Sequence, residues 1–136
     1  MLEFDYARRA PSYFSAIARR LHVIEHGALA ELLDDAVDDD RLTIDERDEI
    51  LRADLVMSGR QRQNNQDVYL VAELSVGVGP HDVEQVVARA ALLTKLGKPA
   101  LPVVAGETIN HQAATLAQEQ GVWYAEGGRI TAPRGA

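Results

Sequence analysis

The chain has 136 residues, 46% of them apolar, which suits one compact domain with its own core and argues against a disordered or multidomain protein. A formal charge of −7 excludes a protein that grips nucleic acid by bulk electrostatics and leaves any such contact to local basic patches. With no cysteine there are no disulfides, thiol nucleophiles or thiolate zinc sites, so a metal must be held by oxygen or imidazole, which favours hard cations such as magnesium.

No apolar run approaches the roughly 20 residues of a membrane span, and "MLEFDYARRAPSYF" lacks the apolar core of a secretory signal. A soluble, cytoplasmic protein with no membrane partner is expected. Ala10, Tyr13, Phe14, Ile17, Ala18 and Leu21 recur at helical spacing and predict an amphipathic helix, with Arg8, Arg9, Arg19 and Arg20 mostly off its stripe. It has no clear cap and the chain starts almost inside it, as expected of a domain whose protein continues upstream. Glu25 to Val37 predicts a second helix, striped by Leu29, Leu32, Leu33 and Val37. The capping box "TIDE", Thr43 to Glu46, opens a third, so residues 1–52 are expected to be helical. Their charge is uneven: "ARRAPSYFSAIARRLH" is basic and "ELLDDAVDDDRLTIDERDE" acidic. The acidic run reads as a solvated helical surface, because neither the ligand spacing nor the turn glycine of an EF-hand is present.

From Asp54, "DLVMSGR" predicts a short strand with Asp54, Val56 and Ser58 on one face and Leu55 and Met57 on the other. The polar loop "RQRQNNQ" joins it to "VYLVAELSV", and a loop this short predicts an antiparallel hairpin. After "GVGP", the segment from His81 to Leu96 predicts a helix with Val83, Val86, Val87, Ala90 and Ala91 inward and Asp82 as its cap. "PALPVVAG" reads as a strand covered on both faces. "TINHQAATLAQEQG" reads as a helix begun near Thr108 or Asn110 and stopped at Gly121, before a last strand "VWYAE". Strand-helix-strand-helix-strand implies parallel crossovers, so the expected fold is α/β: one domain over 1–136, with a helical N-terminal third and a mixed sheet in 53–131, flanked by helices.

Glu73 sets the chemical question. In "VYLVAELSV" Val68, Leu70, Ala72, Leu74 and Val76 share one side, while Tyr69, Val71, Glu73 and Ser75 share the other. A buried carboxylate costs several kcal/mol unless it is paired, hydrogen-bonded or bound to a metal. If the hairpin pairs as expected, Asp54 and Glu73 project from one face of neighbouring strands, an arrangement that suits magnesium with waters and a phosphate. Glu31 on the upstream helix is the candidate third acid, with Asp34 or Asp35 behind it.

The order helix, "ADLVMSGR", "VYLVAELSV", helix, "PALPVVA" resembles the core of the PD-(D/E)xK nuclease superfamily, a restriction-endonuclease-like fold. It is similar in particular to a bacterial branch in which the domain follows a coiled coil. The resemblance runs roughly from the first helix to "VWYAEGGRI". In that superfamily an Asp at the start of one strand and an acid-x-Lys triplet on the next bind a divalent metal and activate water for phosphodiester hydrolysis. The resemblance therefore implies that Asp54 and Glu73 are metal ligands and catalytic residues, with magnesium or manganese as cofactor and DNA as partner. It also implies a homo-oligomer or a place in a larger, coiled-coil-containing chain. The triplet here is Glu73-Leu74-Ser75, with serine where the superfamily has lysine, and serine cannot supply that charge. In some members the missing side chain comes from the following helix, which points to Gln85 and Arg89, ahead of Lys95. Arg89 is a fixed positive charge but a poor proton acceptor. Arg60 and Arg62, with the amides of their loop, are the candidate nucleic-acid contacts.

Each of these residues also has a plain structural reading. Asp54 can be a helix-to-strand turn residue, Glu73 half of a salt bridge to Arg89, Ser75 a filler hydroxyl, and the "RQRQNNQ" loop a simple hairpin tip. Trp123 reads as core. His22, His26, His81 and His111 form no HExxH pattern, and "GVGP" is neither a Walker motif nor a full GxGxxG. Three functions follow: a metal-dependent nuclease, a catalytically silent domain of the same fold used for assembly or binding, and a small-ligand α/β domain resting on "GVGP" alone.

Overall fold

The segment expected to be the first helix divides. In the computed structural model, which describes residues 2–135, α1 spans Leu2–Arg8, α2 spans Ala10–Tyr13, and β1 spans Ala18–Val23. Pro11 in the first turn of α2 restarts the chain there. The helix-like spacing of Ala18 and Leu21 has another cause. Arg19 pairs with Arg60 and His22 with Ser58, three steps on β1 against two on its neighbour, so a β-bulge inserts one residue and turns a period of two into three. The N-terminal third is therefore not wholly helical.

The next elements follow the sequence closely. Helix α3 is His26–Asp38 and α4 is Ile44–Leu51. The capping box forms: Thr43 Oγ accepts the Glu46 N–H at 3.1 Å, and the Glu46 carboxylate accepts the Thr43 N–H at 2.9 Å. Strands β2 (Leu55–Gln61) and β3 (Asp67–Leu74) make the expected antiparallel hairpin. β3 stops at Leu74, so Ser75 lies beyond it. Then come β4 (Gly77–Val78), α5 (Pro80–Leu93), β5 (Ala100–Gly106), β6 (Thr108–Ile109), α6 (His111–Gln120), β7 (Trp123–Glu126) and β8 (Arg129–Thr131). Asp82 is not the first cap of α5. It stands in the first turn, its carboxylate accepting the N–H of Gly79, which holds the cap position. Asn110 caps α6 by accepting the Ala113 N–H at 2.8 Å, and Gly121 ends it at a left-handed φ of 73°.

The main sheet has six strands in the order β1-β2-β3-β5-β7-β8. β3, β5 and β7 are parallel, and antiparallel strands extend the sheet on both sides. This is the expected mixed α/β architecture, a sheet flanked by helices and consistent with a restriction-endonuclease-like fold. β8 and a separate two-stranded sheet of β4 and β6 were not foreseen.

Strand alternation divides the core as the hairpin pattern requires. Leu55, Met57, Val68, Leu70, Ala72 and Trp123 face Tyr6, Ala10, Phe14 and Ile17. Val56, Tyr69, Val71 and Val104 face Leu29, Leu33, Ile50, Val83, Val86 and Leu93 of the α3–α5 layer. Trp123, 7% exposed, is core. Each fully buried leucine here stabilises the fold by about 2–5 kcal/mol over alanine. One glycine is sterically fixed: a Cβ on Gly106 would lie 2.1 Å from the Ser75 carbonyl oxygen, where the chain leaving β3 crosses the end of β5. No helix among the described residues is long and apolar enough to cross a membrane.

Candidate functional site

The hairpin register fixes the acids. Leu55 pairs with Ala72, so the residue before β2 stands opposite Glu73. Asp54 is half-buried there, and its Oδ2 accepts the Leu74 N–H at 2.8 Å, tying the end of β3 to the start of β2. It also lines a cleft of ≈ 140 Å³ with Glu25, His26 and Leu29. Asp54 and Glu73 are thus brought together as the sequence pattern implied.

Glu73 is 5% exposed, on the sheet face covered by α3–α5. Its Oε1 accepts Arg89 Nη1 at 2.6 Å, and Arg89, also 5% exposed, donates through Nε to Glu49 Oε2 at 2.9 Å. Arg52 closes the chain of charges on Glu49 Oε1 at 3.3 Å. Glu73 Oε2 is buried and has no hydrogen-bond partner among the described residues. Burial pushes the Glu73 carboxyl up to about 7, with repulsion from Asp54 adding and the Arg89 guanidinium pulling the other way. Burial opposes the charge of Arg89, but its bonds to Glu73 and Glu49 outweigh that and raise its pKa. Chemically, the cluster can hold or release one proton near neutrality at an oxygen shielded from solvent.

The remaining candidates fall elsewhere. Glu31 is exposed on α3, and among the described residues no three histidines or acids form a group able to hold a metal. Asp34 accepts Arg47 at 2.7 Å. Ser75 lies past the strand end, where its hydroxyl donates to the Gly77 carbonyl at 2.9 Å and its N–H to the Ala105 carbonyl. Gln85 is half-buried one turn before Arg89, and no hydrogen bond joins it to either acid. Lys95 is held by Glu46 at 2.5 Å. Arg60 pairs with Asp67 at 3.4 Å, and the Arg62 guanidinium donates to the Ser15 carbonyl. Both arginines stand at the hairpin tip, six or more residues up β2 from Asp54, or roughly 20 Å at about 3.3 Å per residue. They do not form one surface with the acids. "GVGP" makes no phosphate turn, since the Gly79 amide is already taken by the Asp82 carboxylate.

Glu49 is the member of the cluster that sequence reasoning missed. Its signal lay in α4, where Glu46 and Glu49 stand one turn apart and meet Lys95, just past α5, and Arg89 on α5.

No family model matches the chain, and no curated protein matches it. Among solved structures it is similar to the crystal structure of a repair endonuclease from Pyrococcus abyssi, at 16% identity and a TM-score of 0.43, over 71% of this chain and 45% of that one. The chain thus spans less than half the length of that protein.

Proposed function

We propose that this domain has the PD-(D/E)xK nuclease fold but does not hydrolyse phosphodiesters, and that it serves as a binding or assembly module. The observation that carries this reading is Arg89 seated between Glu73 and Glu49, at 2.6 and 2.9 Å. A guanidinium is permanently charged and already supplies the cation that two neighbouring carboxylates need. The donor set as arranged does not suit magnesium or manganese. One Glu73 oxygen holds Arg89, one Asp54 oxygen holds the Leu74 amide, and among the described residues no third acid or histidine joins them. The triplet lysine is absent, and the hydroxyl that replaces it is bonded to its own turn.

Calorimetric titration with magnesium and manganese, run beside an oligonucleotide cleavage assay, tests this. The wild type is expected to give no binding at millimolar metal and no cleavage. Metal-dependent cleavage that Glu73→Gln abolishes would overturn the reading. For the assembly role, light scattering should give a mass above the monomer; a strict monomer with no partner removes that role.

One observation favours a second reading, a metal-dependent nuclease acting on DNA: Glu73 Oε2 lies buried near Asp54 with no hydrogen-bond partner among the described residues. Under it Arg89 must swing off Glu73 before the acids can hold magnesium or manganese, so Arg89→Gln should raise metal affinity. Under the first reading that substitution gains nothing.

A further inference from the structure

The same sheet face carries a second polar cluster, at its open end, which the carboxylate site does not use. Arg20 and His22 of β1, Ser58 and Arg60 of β2, and Lys98 before β5 line one recess of ≈ 240 Å³, with Asp67 as its one acid. In a chain with 14 basic and 21 acidic residues, three fixed cations against one acid is a reversal of sign.

Two conformational costs converge on this recess. Arg20 has a φ of 54°, in the left-handed region that strains a residue with a Cβ. It lies within the β1 bulge, between Arg19 and His22. Gly59, on the recess wall, is forced by the same bulge, because a Cβ there would lie 2.9 Å from Leu21 Cδ2 and 3.0 Å from the Arg19 carbonyl. A bulge that merely blunted an edge strand would not require an arginine at the strained position, where glycine or asparagine fits best. Lys98 is held over the Tyr69 ring, 5.1 Å from its centroid, which restrains the ammonium at the rim. Arg60 shares a loose, half-exposed pair with Asp67 at 3.4 Å, and such a pair yields readily to a stronger anion.

We propose that this recess is an anion site for a phosphate monoester. A monoester carries nearly two negative charges at neutral pH. Cations gathered around one small recess serve such a group better than a strand of diesters, whose single charges are spread along its length. The recess, of ≈ 240 Å³, is large enough to seat a phosphate group but smaller than the roughly 300 Å³ typical of sites for whole drug-sized ligands. Arg20 and Arg60 supply planar N–H donors, Lys98 a point charge, and Ser58 and His22 further donors. The bearer is either a small phosphorylated metabolite or the phosphorylated end of a nucleic-acid strand.

Calorimetry at low salt with inorganic phosphate, AMP, and one oligonucleotide carrying either a 5′-phosphate or a 5′-hydroxyl tests the site. Phosphate and AMP are expected to bind. A strand-end bearer makes the 5′-phosphorylated oligonucleotide the tightest ligand, whereas a metabolite bearer makes AMP at least its equal. Arg20→Gly removes the charge but suits the backbone, so it should weaken binding by about tenfold while the fold stays intact. Lys98→Ala should do the same, and Arg129→Ala, at the far edge of the sheet, should leave binding unchanged. The proposal is overturned by absence of binding to all of these ligands, by equal binding of the 5′-hydroxyl oligonucleotide, or by an equal loss with Arg129→Ala.

Discussion

The two ends of one sheet face carry charge in opposite ways. At the end covered by α3–α5, Glu73 and Arg89 are buried, and nearly every charged atom finds its counterpart inside the protein. At the open end, Arg20, Arg60 and Lys98 face solvent with Asp67 as the one acid in their recess. Burial explains the difference. A charge under a helix layer cannot use water and must be neutralised when the chain folds. A charge beyond that layer loses little by staying hydrated, so it can remain unpaired until a ligand arrives. The acids that look like a site are thus internally occupied, and the less conspicuous basic end is available.

This contrast can be broken by experiment, most forcefully at Arg89. Arg89→Ala should cost about 3–5 kcal/mol in urea unfolding at pH 7.5, because it leaves buried acid without its cation. A loss below 1 kcal/mol would mean that the covered end is no more committed than the surface. The next effect is on pH. The Glu73 carboxyl titrates at about 7 in the folded protein against 4.5 as its ordinary value, so the native state holds a proton that the unfolded chain has released. Stability should therefore fall as pH rises from about 4.5 to 7, by on the order of 3 kcal/mol from this group. Glu73→Gln should flatten that slope, read as melting temperature against pH. Smaller still, Arg20→Gly should raise stability by about 1 kcal/mol through relief of its left-handed backbone. Last, Asp67→Ala should change stability by less than about 0.5 kcal/mol while tightening phosphate binding, since the exposed pair it breaks holds little together.

Much of the fold was legible because period and punctuation agree in the chain. Helices α3 to α6 announce themselves by stripes and caps, and the hairpin by its polar loop between apolar runs. β1 was not legible, because its bulge gives Ala18 and Leu21 a helical spacing that only the partner strand explains. β8 has three residues, too few for any period to register. The acid pair could be read from strand alternation, and the Arg89 bridge from helical spacing. Ser75 could not be placed, since beyond the end of β3 its carbonyl packs against Gly106, a contact between segments about thirty residues apart. Glu49 was hidden for the same kind of reason: its partner lies on another helix, and neither neighbourhood alone reveals the pairing.

The small sheet of β4 and β6 has a consequence of its own. Gly77 pairs with Thr108 and Val78 with Ile109, in parallel, immediately before α5 and α6 begin. The two helices are therefore launched from a shared two-rung bracket, and the length of each lead-in segment is matched to the other. An added residue at 75–79 or 106–110 would shift one helix by a step against its neighbour, and at 75–79, ahead of α5, it would carry Arg89 out of line with Glu73. The same insertion at the hairpin tip, 62–66, would only lengthen a loop. Natural length variation in this fold should accordingly gather at the tip and avoid the bracket.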